Sequence, residues 1–105
     1  MDRSPRELPE KLRENQYENL CLVDVCELEP PGPLETVLEA VQHYQTGQPI
    51  CMRHRREPCS LFSILKNQEF SYKVFERRDD FFEILIWRSD DQVAFKILQA
   101  AGFQL

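Results

Sequence analysis

The residues of this sequence best suited to chemistry are two thiols and a run of cations. Arg53, His54, Arg55 and Arg56 are contiguous, and Glu57, Pro58 and Cys59 follow directly. Proline is favoured in the first turn of a helix. Pro58 therefore predicts a helix start that places Cys59 at its N-terminus. Free N–H groups there attract anions, and neighbouring arginines favour the thiolate form. Cys59 is thus the first candidate for a sulfur-transferring or redox thiol. Its ordinary reading is a small, inert, half-buried residue. Cys26, just before a proline-rich stretch, is the second candidate thiol. Cys21 and Cys51 fall inside predicted strands and read as structural.

The four cations make a separate candidate, a ligand-binding site that needs no nucleophile. The planar guanidinium of arginine grips carboxylate or phosphate through two parallel hydrogen bonds. Strand geometry limits the site. If Arg53 and Arg55 point one way, His54 and Arg56 point the other. All four can serve one ligand only if the strand ends before them. The plain alternative is a solvated strand end paired with Glu57 and nearby acids.

Other chemistries find less support. Metal binding needs three or four convergent ligands. There are only two histidines, and the four cysteines form no CxxC pair. His54 with Cys59 or Cys26 is the nearest approach to a ligand set, so no metal and no cofactor are expected. His43 reads as a surface residue near a helix C-terminus. Asp24 has no partner acid or base and is expected to bond backbone or face solvent. No Ser-His-acid or paired-carboxylate constellation marks a hydrolase. The net charge of −5 argues against nucleic acid or acidic membranes as partners. No Lys or Arg occurs between Glu14 and Met52, which predicts an acidic surface beside the compact basic run. No apolar stretch nears the roughly 20 residues of a membrane span, and no leader is visible at the charged N-terminus. A cytoplasmic protein with reduced cysteines is the expectation.

These groups must be positioned by the stretch over residues 23–38, VDVCELEPPGPLETVL. An apolar strand over residues 20–26 runs into an elbow of Pro30, Pro31, Gly32 and Pro33. The prolines restrict φ and donate no hydrogen bonds, and Pro33 suits a helix's first turn. Leu34, Val37, Leu38 and Val41 then line one helical face, with Gly47 as the expected stop. A second strand follows over residues 48–54, and the helix beginning at Cys59 runs to about Asn67. FSYKVFER (70–77) and FFEILIW (81–87) read as strands, and their short link predicts an antiparallel hairpin. Asp90 or Asp91 is expected to cap a last helix carrying Val93, Ala94, Ile97 and Leu98. The 42% hydrophobic content rules against wholesale disorder. The expectation is an N-terminal arm over residues 1–18 and one α/β domain over residues 19–105. The order is β-α-β-α-β-β-α: a two-layer sandwich with a four-stranded mixed sheet, two helices on one face and an extra C-terminal helix. Three uses are open to that last helix: covering an edge, covering the other face, or pairing with a second copy as a homodimer.

The elbow resembles the TusA/SirA-like sulfur-carrier fold, whose members read LD-x-x-G-L-x-C-P-x-P-L at the first strand–helix junction. Val23, Asp24, Leu28, Pro31, Pro33 and Leu34 match that pattern. The family's glycine corresponds to Glu27, and its sulfur-carrying cysteine corresponds to Pro30. The second half is similar to a related bacterial family of unknown function that lacks this cysteine. Gly47, Ile50, His54, Pro58 and Leu61 fall on its pattern. The resemblance covers roughly residues 20–88. It implies a non-catalytic interaction or regulatory module, binding an anionic ligand or a protein partner near residues 53–59. The rival it implies is a persulfide or redox carrier using Cys59 or Cys26.

Overall fold

In a computed structural model, residues 20–78 and 80–105 are described. The chain runs β1 (Cys21–Asp24), α1 (Gly32–Gln42), β2 (Ile50–His54), α2 (Cys59–Asn67), β3 (Phe70–Arg77), β4 (Phe81–Arg88) and α3 (Gln92–Ala100). The arm expected over residues 1–18 lies outside the described residues. The element order is the one the sequence predicts. The sheet order is β1-β2-β4-β3. β1 and β2 are parallel, as a strand–helix–strand unit requires, and β4 is antiparallel to both β2 and β3.

Alternation along the strands gives the sheet an apolar core on each face. Val23, Ile50, Met52, Ile84 and Ile86 meet Val37 and Val41 of α1 and Leu61 and Leu65 of α2 in the first core. Cys51, Leu85 and Trp87 meet Ala94 and Leu98 of α3 in a smaller second core. Two strands therefore carry apolar side chains on both faces. This is why the β4 sequence reads as an almost unbroken apolar run rather than an alternation. α3 covers the second face at its Trp87 end, and Val93 on that helix is left 57% exposed.

The boundaries differ from the sequence reading where polar groups take over from the ladder. The first strand stops at Asp24 because the Asp24 carboxylate accepts the N–H of Cys26 at 3.1 Å, turning the chain into the elbow. The first helix ends at Gln42, earlier than Gly47 suggested. Gly47, at φ +81°, belongs to the tight turn that brings Gln45 opposite Gln48. Its N–H donates to Asp91 at 2.7 Å. Of the two aspartates expected to cap the last helix, Asp91 does so, accepting the N–H of Ala94 at 3.0 Å. The same side chain accepts the hydroxyl of Tyr44 at 2.7 Å. One nearly buried carboxylate thus ties α3 to the α1–β2 connection. No helix among the described residues is long and apolar enough to cross a membrane.

Candidate functional site

The end of β1 and the end of β2 lie side by side, because the two strands are parallel and in register from Cys21–Ile50 to Asp24–Arg53. One further bond, from Val25 N–H to the Arg53 carbonyl at 2.9 Å, carries this pairing past the strand. The two strands then diverge. Residues 26–30 turn into the elbow, and residues 54–56 turn towards α2. A cavity of about 250 Å³ opens between them. One wall is Cys26, Glu27, Leu28, Glu29 and Pro30, and the other is His54, Arg55 and Arg56.

The elbow is held by short backbone bonds. Leu28 N–H reaches the Val25 carbonyl at 3.1 Å, and Gly32 N–H reaches the Glu29 carbonyl at 2.8 Å. The Pro30–Pro31 peptide is cis. Pro33 lies buried in the first turn of α1, where its missing N–H leaves no bond unmade. Leu28 folds back against Gly32, and its Cβ stands 3.4 Å from where a side chain on Gly32 would begin.

The charges of the cavity are mixed. Arg55 pairs with Glu27 across the opening at 3.4 Å, with both side chains in solvent. Arg56 has no ion-pair partner among the described residues. The Nδ1 atom of His54 is buried and has no hydrogen-bond partner among the described residues. Burial, and then the positive charge of Arg56, hold the His54 imidazole below its usual pKa. His54 is therefore neutral at neutral pH, with a ring nitrogen left to bond. Burial pushes the Cys26 thiol up. The hydrogen bond with Asp24 and the charge of Asp24 add to that, against a weaker pull from Arg55.

The structure divides the predicted site residues. His54, Arg55, Arg56, Cys26 and Pro30 share the cavity. Cys59 opens α2, exposed and outside the cavity lining. Arg53 is also apart. It is the last β2 residue but one, and alternation turns it to the second face, where its Nε donates to Glu83 at 3.3 Å. Asp24 faces the same side and stands opposite Arg53 in register. Among the described residues no group of three or more His, Cys, Asp or Glu is placed to hold a metal ion.

One functional-looking carboxylate escaped the sequence reading, and a second was read only in part. Glu83 is 7% exposed and takes Arg77 as well as Arg53. Its signal was a single acid inside FFEILIW, which an apolar strand tolerates only when the charge is paired. Asp91 was legible as a cap, but its bonds to Tyr44 and Gly47 span 47 and 44 residues.

Residues 22–88 match the family of uncharacterized conserved proteins DUF2249. The chain belongs to this family. No curated protein and no solved structure matches it. Both walls of the cavity lie inside the matched DUF2249 span, as do Arg53, Arg77 and Glu83. The helix α3 and the Asp91 cap lie beyond it.

Proposed function

We propose that this DUF2249 chain is a TusA/SirA-like module that works by binding, and that the elbow cavity takes an anionic group of a ligand or protein partner. The observation that carries the reading is the meeting of the elbow with residues 54–56 around one cavity. Arg56 lines it and has no ion-pair partner among the described residues. His54 brings a neutral ring whose Nδ1 has no hydrogen-bond partner among those residues. The position that holds the sulfur-carrying cysteine in the family resembled is Pro30 here, which has no nucleophile. A cytoplasmic, bacterial setting goes with this reading: the four cysteines are free thiols, as a reducing compartment keeps them.

The second reading is a thiol-based sulfur carrier. It is favoured by the place of Cys26 in the same cavity. Against it, burial and Asp24 disfavour the Cys26 thiolate that such transfer needs. Titration of ¹⁵N-labelled protein with inorganic phosphate separates the two. The binding reading expects saturable shifts at the amides of residues 26–29 and 54–57, lost in Arg56→Ala. No saturable shift there refutes it. Incubation with a persulfide donor, followed by intact mass, addresses the rival. Gain of one sulfur on Cys26 or Cys59, passed on to an acceptor thiol, establishes the carrier.

A further inference from the structure

The second face of the sheet is only partly covered. The end nearer Trp87 lies under α3. The other end carries Arg53 on β2, Glu83 on β4, and Phe75 and Arg77 on β3. Arg53 and Phe75 stand on either side of Glu83 in the ladder. The Glu83 carboxylate is the hub of this group. Arg77 donates to Oε1 through Nε at 2.9 Å and Nη2 at 2.6 Å. Arg53 donates to Oε2 through Nε at 3.3 Å. Each guanidinium is also set against an aromatic ring. Arg77 lies 4.7 Å from the centre of Phe75, and Arg53 lies 5.8 Å from that of Phe81.

We infer that this end of the second face is an oxyanion site, in which Arg53 and Arg77 bind a phosphate-type group and Glu83 positions them. Three observations combine. First, one carboxylate faces two guanidiniums, so a positive charge is left over. Lys73 projects from the same side of β3 and Asp24 from the same side of β1, so the described strand residues of this face keep that excess. Second, the bonds to Glu83 use only part of each donor set. Both Nη groups of Arg53 and Nη1 of Arg77 have no partner among the described residues. Third, the arginine side chains are 21% and 37% exposed, whereas that of Glu83 is 9% exposed. The carboxylate is inside and the unused N–H groups are outside. Guanidiniums fixed by a buried acid and an aromatic ring lose little further freedom when an anion arrives, and oxyanions accept from paired N–H groups of such forks. Arg53 and His54 point to opposite faces, so this site is separate from the elbow cavity and stands or falls without it.

The test is an amide-shift titration with phenyl phosphate, alongside inorganic phosphate, on wild type, Arg77→Gln, Glu83→Gln and Lys73→Gln proteins. In wild type, saturable shifts are expected at residues 53, 75, 77 and 83. Arg77→Gln is expected to weaken them about tenfold, as loss of charged hydrogen bonds does, while elbow shifts persist. Glu83→Gln separates positioning from bulk charge. It makes the face more positive, so simple attraction predicts tighter binding, whereas loss of the positioning acid predicts weaker binding. Lys73→Gln is expected to change the affinity less than about twofold. The proposal is overturned if the shifts map to the elbow alone, if Glu83→Gln tightens binding, or if Lys73→Gln weakens it as much as Arg77→Gln. The spectrum of each variant reports its own folding. Should Arg77→Gln unfold, Arg53→Gln replaces it with the same expected loss.

Discussion

Replacing Asp91 with alanine should be among the most damaging single changes in this chain, although it lies far from both candidate sites. Its two carboxylate oxygens accept three hydrogen bonds: Ala94 N–H at 3.0 Å, Gly47 N–H at 2.7 Å and Tyr44 O–H at 2.7 Å. The residue is 5% exposed. Loss of a helix cap costs about 1 kcal/mol. Each remaining donor, partly shielded from water, loses about 1 kcal/mol when stranded. The expected destabilisation of Asp91→Ala is therefore about 3 kcal/mol, a large share of a stability of roughly 5–15 kcal/mol. Tyr44→Phe removes one donor along with its bond and should cost about 1 kcal/mol.

Urea unfolding at neutral pH measures both variants and the double mutant. The Tyr44→Phe penalty should largely vanish in the Asp91→Ala background, because the two share one bond. Asp91→Asn separates the hub from the cap. Asparagine caps as well as aspartate, so a residue that only caps would tolerate it. A hub that takes three donors would not, and a loss of at least about 1 kcal/mol is expected. A penalty for Asp91→Ala under about 1 kcal/mol, or a neutral Asp91→Asn, refutes the reasoning. The acid limb gives a further check. Burial opposes ionisation of Asp91, but the bonds from Ala94, Gly47 and Tyr44 outweigh it and hold the carboxyl below its ordinary pKa. Its contribution is then fully present above the ordinary carboxylate value and is lost as pH falls through the depressed one. Asp91→Ala should flatten that limb.

Glu83 should behave likewise on acidification. Burial opposes its charge, but the bonds and charge of Arg77, with help from Cys51 and Arg53, lower its pKa; Glu83→Gln should therefore reduce the stability lost between neutral and strongly acidic pH, read from urea midpoints. The cysteines should alkylate in an order set by exposure and charge, followed site by site by mass spectrometry. Cys59, exposed, reacts first; Cys26 and Cys21 lag because burial raises their thiols; Cys51 comes last, pushed up to about 12 by burial and the Glu83 charge. Gly47→Ala should destabilise more than Gly102→Ala in thermal melts, by about 2 against about 1 kcal/mol. Both glycines have positive φ, but a methyl at Gly47 meets Val93 at 3.3 Å and one at Gly102 meets nothing within 4 Å. Arg56→Ala should raise the His54 pKa in an NMR titration, since Arg56 is the charge that adds to burial in lowering it.

The elements were legible because apolar spacing and proline placement are local signals. Pro33 and Pro58 marked helix starts, and the β3–β4 link marked a hairpin. The elbow site was legible only in outline, and of the second-face group only Arg53 was read as a site residue. The elbow and the cations at residues 53–56 are separated by α1 and most of β2. Only the parallel pairing of β1 with β2 brings them to one cavity. The alternation rule foresaw that Arg53 and His54 would part, but it could not say what would receive Arg53. That partner is Glu83, a long-range contact that leaves no spacing signature. Gly47 was misjudged as a helix stop because positive φ suits a tight turn as well as a C-cap. What decides between them is the distant Asp91 carboxylate that accepts its N–H.

The placement of thiols relative to arginines gives the strongest physical argument between the two functional readings. A sulfur carrier needs a thiolate, and an arginine beside a thiol is the cheapest way to favour one. This chain has arginines near two of its thiols, yet acids claim or offset them. Cys51 lies close to Arg53 and Arg77, but both donate to Glu83, and the Cys51 thiol itself donates to that carboxylate at 3.4 Å. Cys26 lies near Arg55, but Arg55 pairs with Glu27, and Asp24 adds a negative charge beside the sulfur. Burial raises Cys21 with no cation to offset it. In these three places the surroundings keep the proton on sulfur. The guanidinium N–H groups that have no partner among the described residues belong to side chains that reach solvent, Arg56 at the elbow and Arg53 and Arg77 on the second face. Such an arrangement suits recognition of an anion better than transfer of sulfur, and it leaves Cys59 as the one thiol on which the carrier reading can still be built.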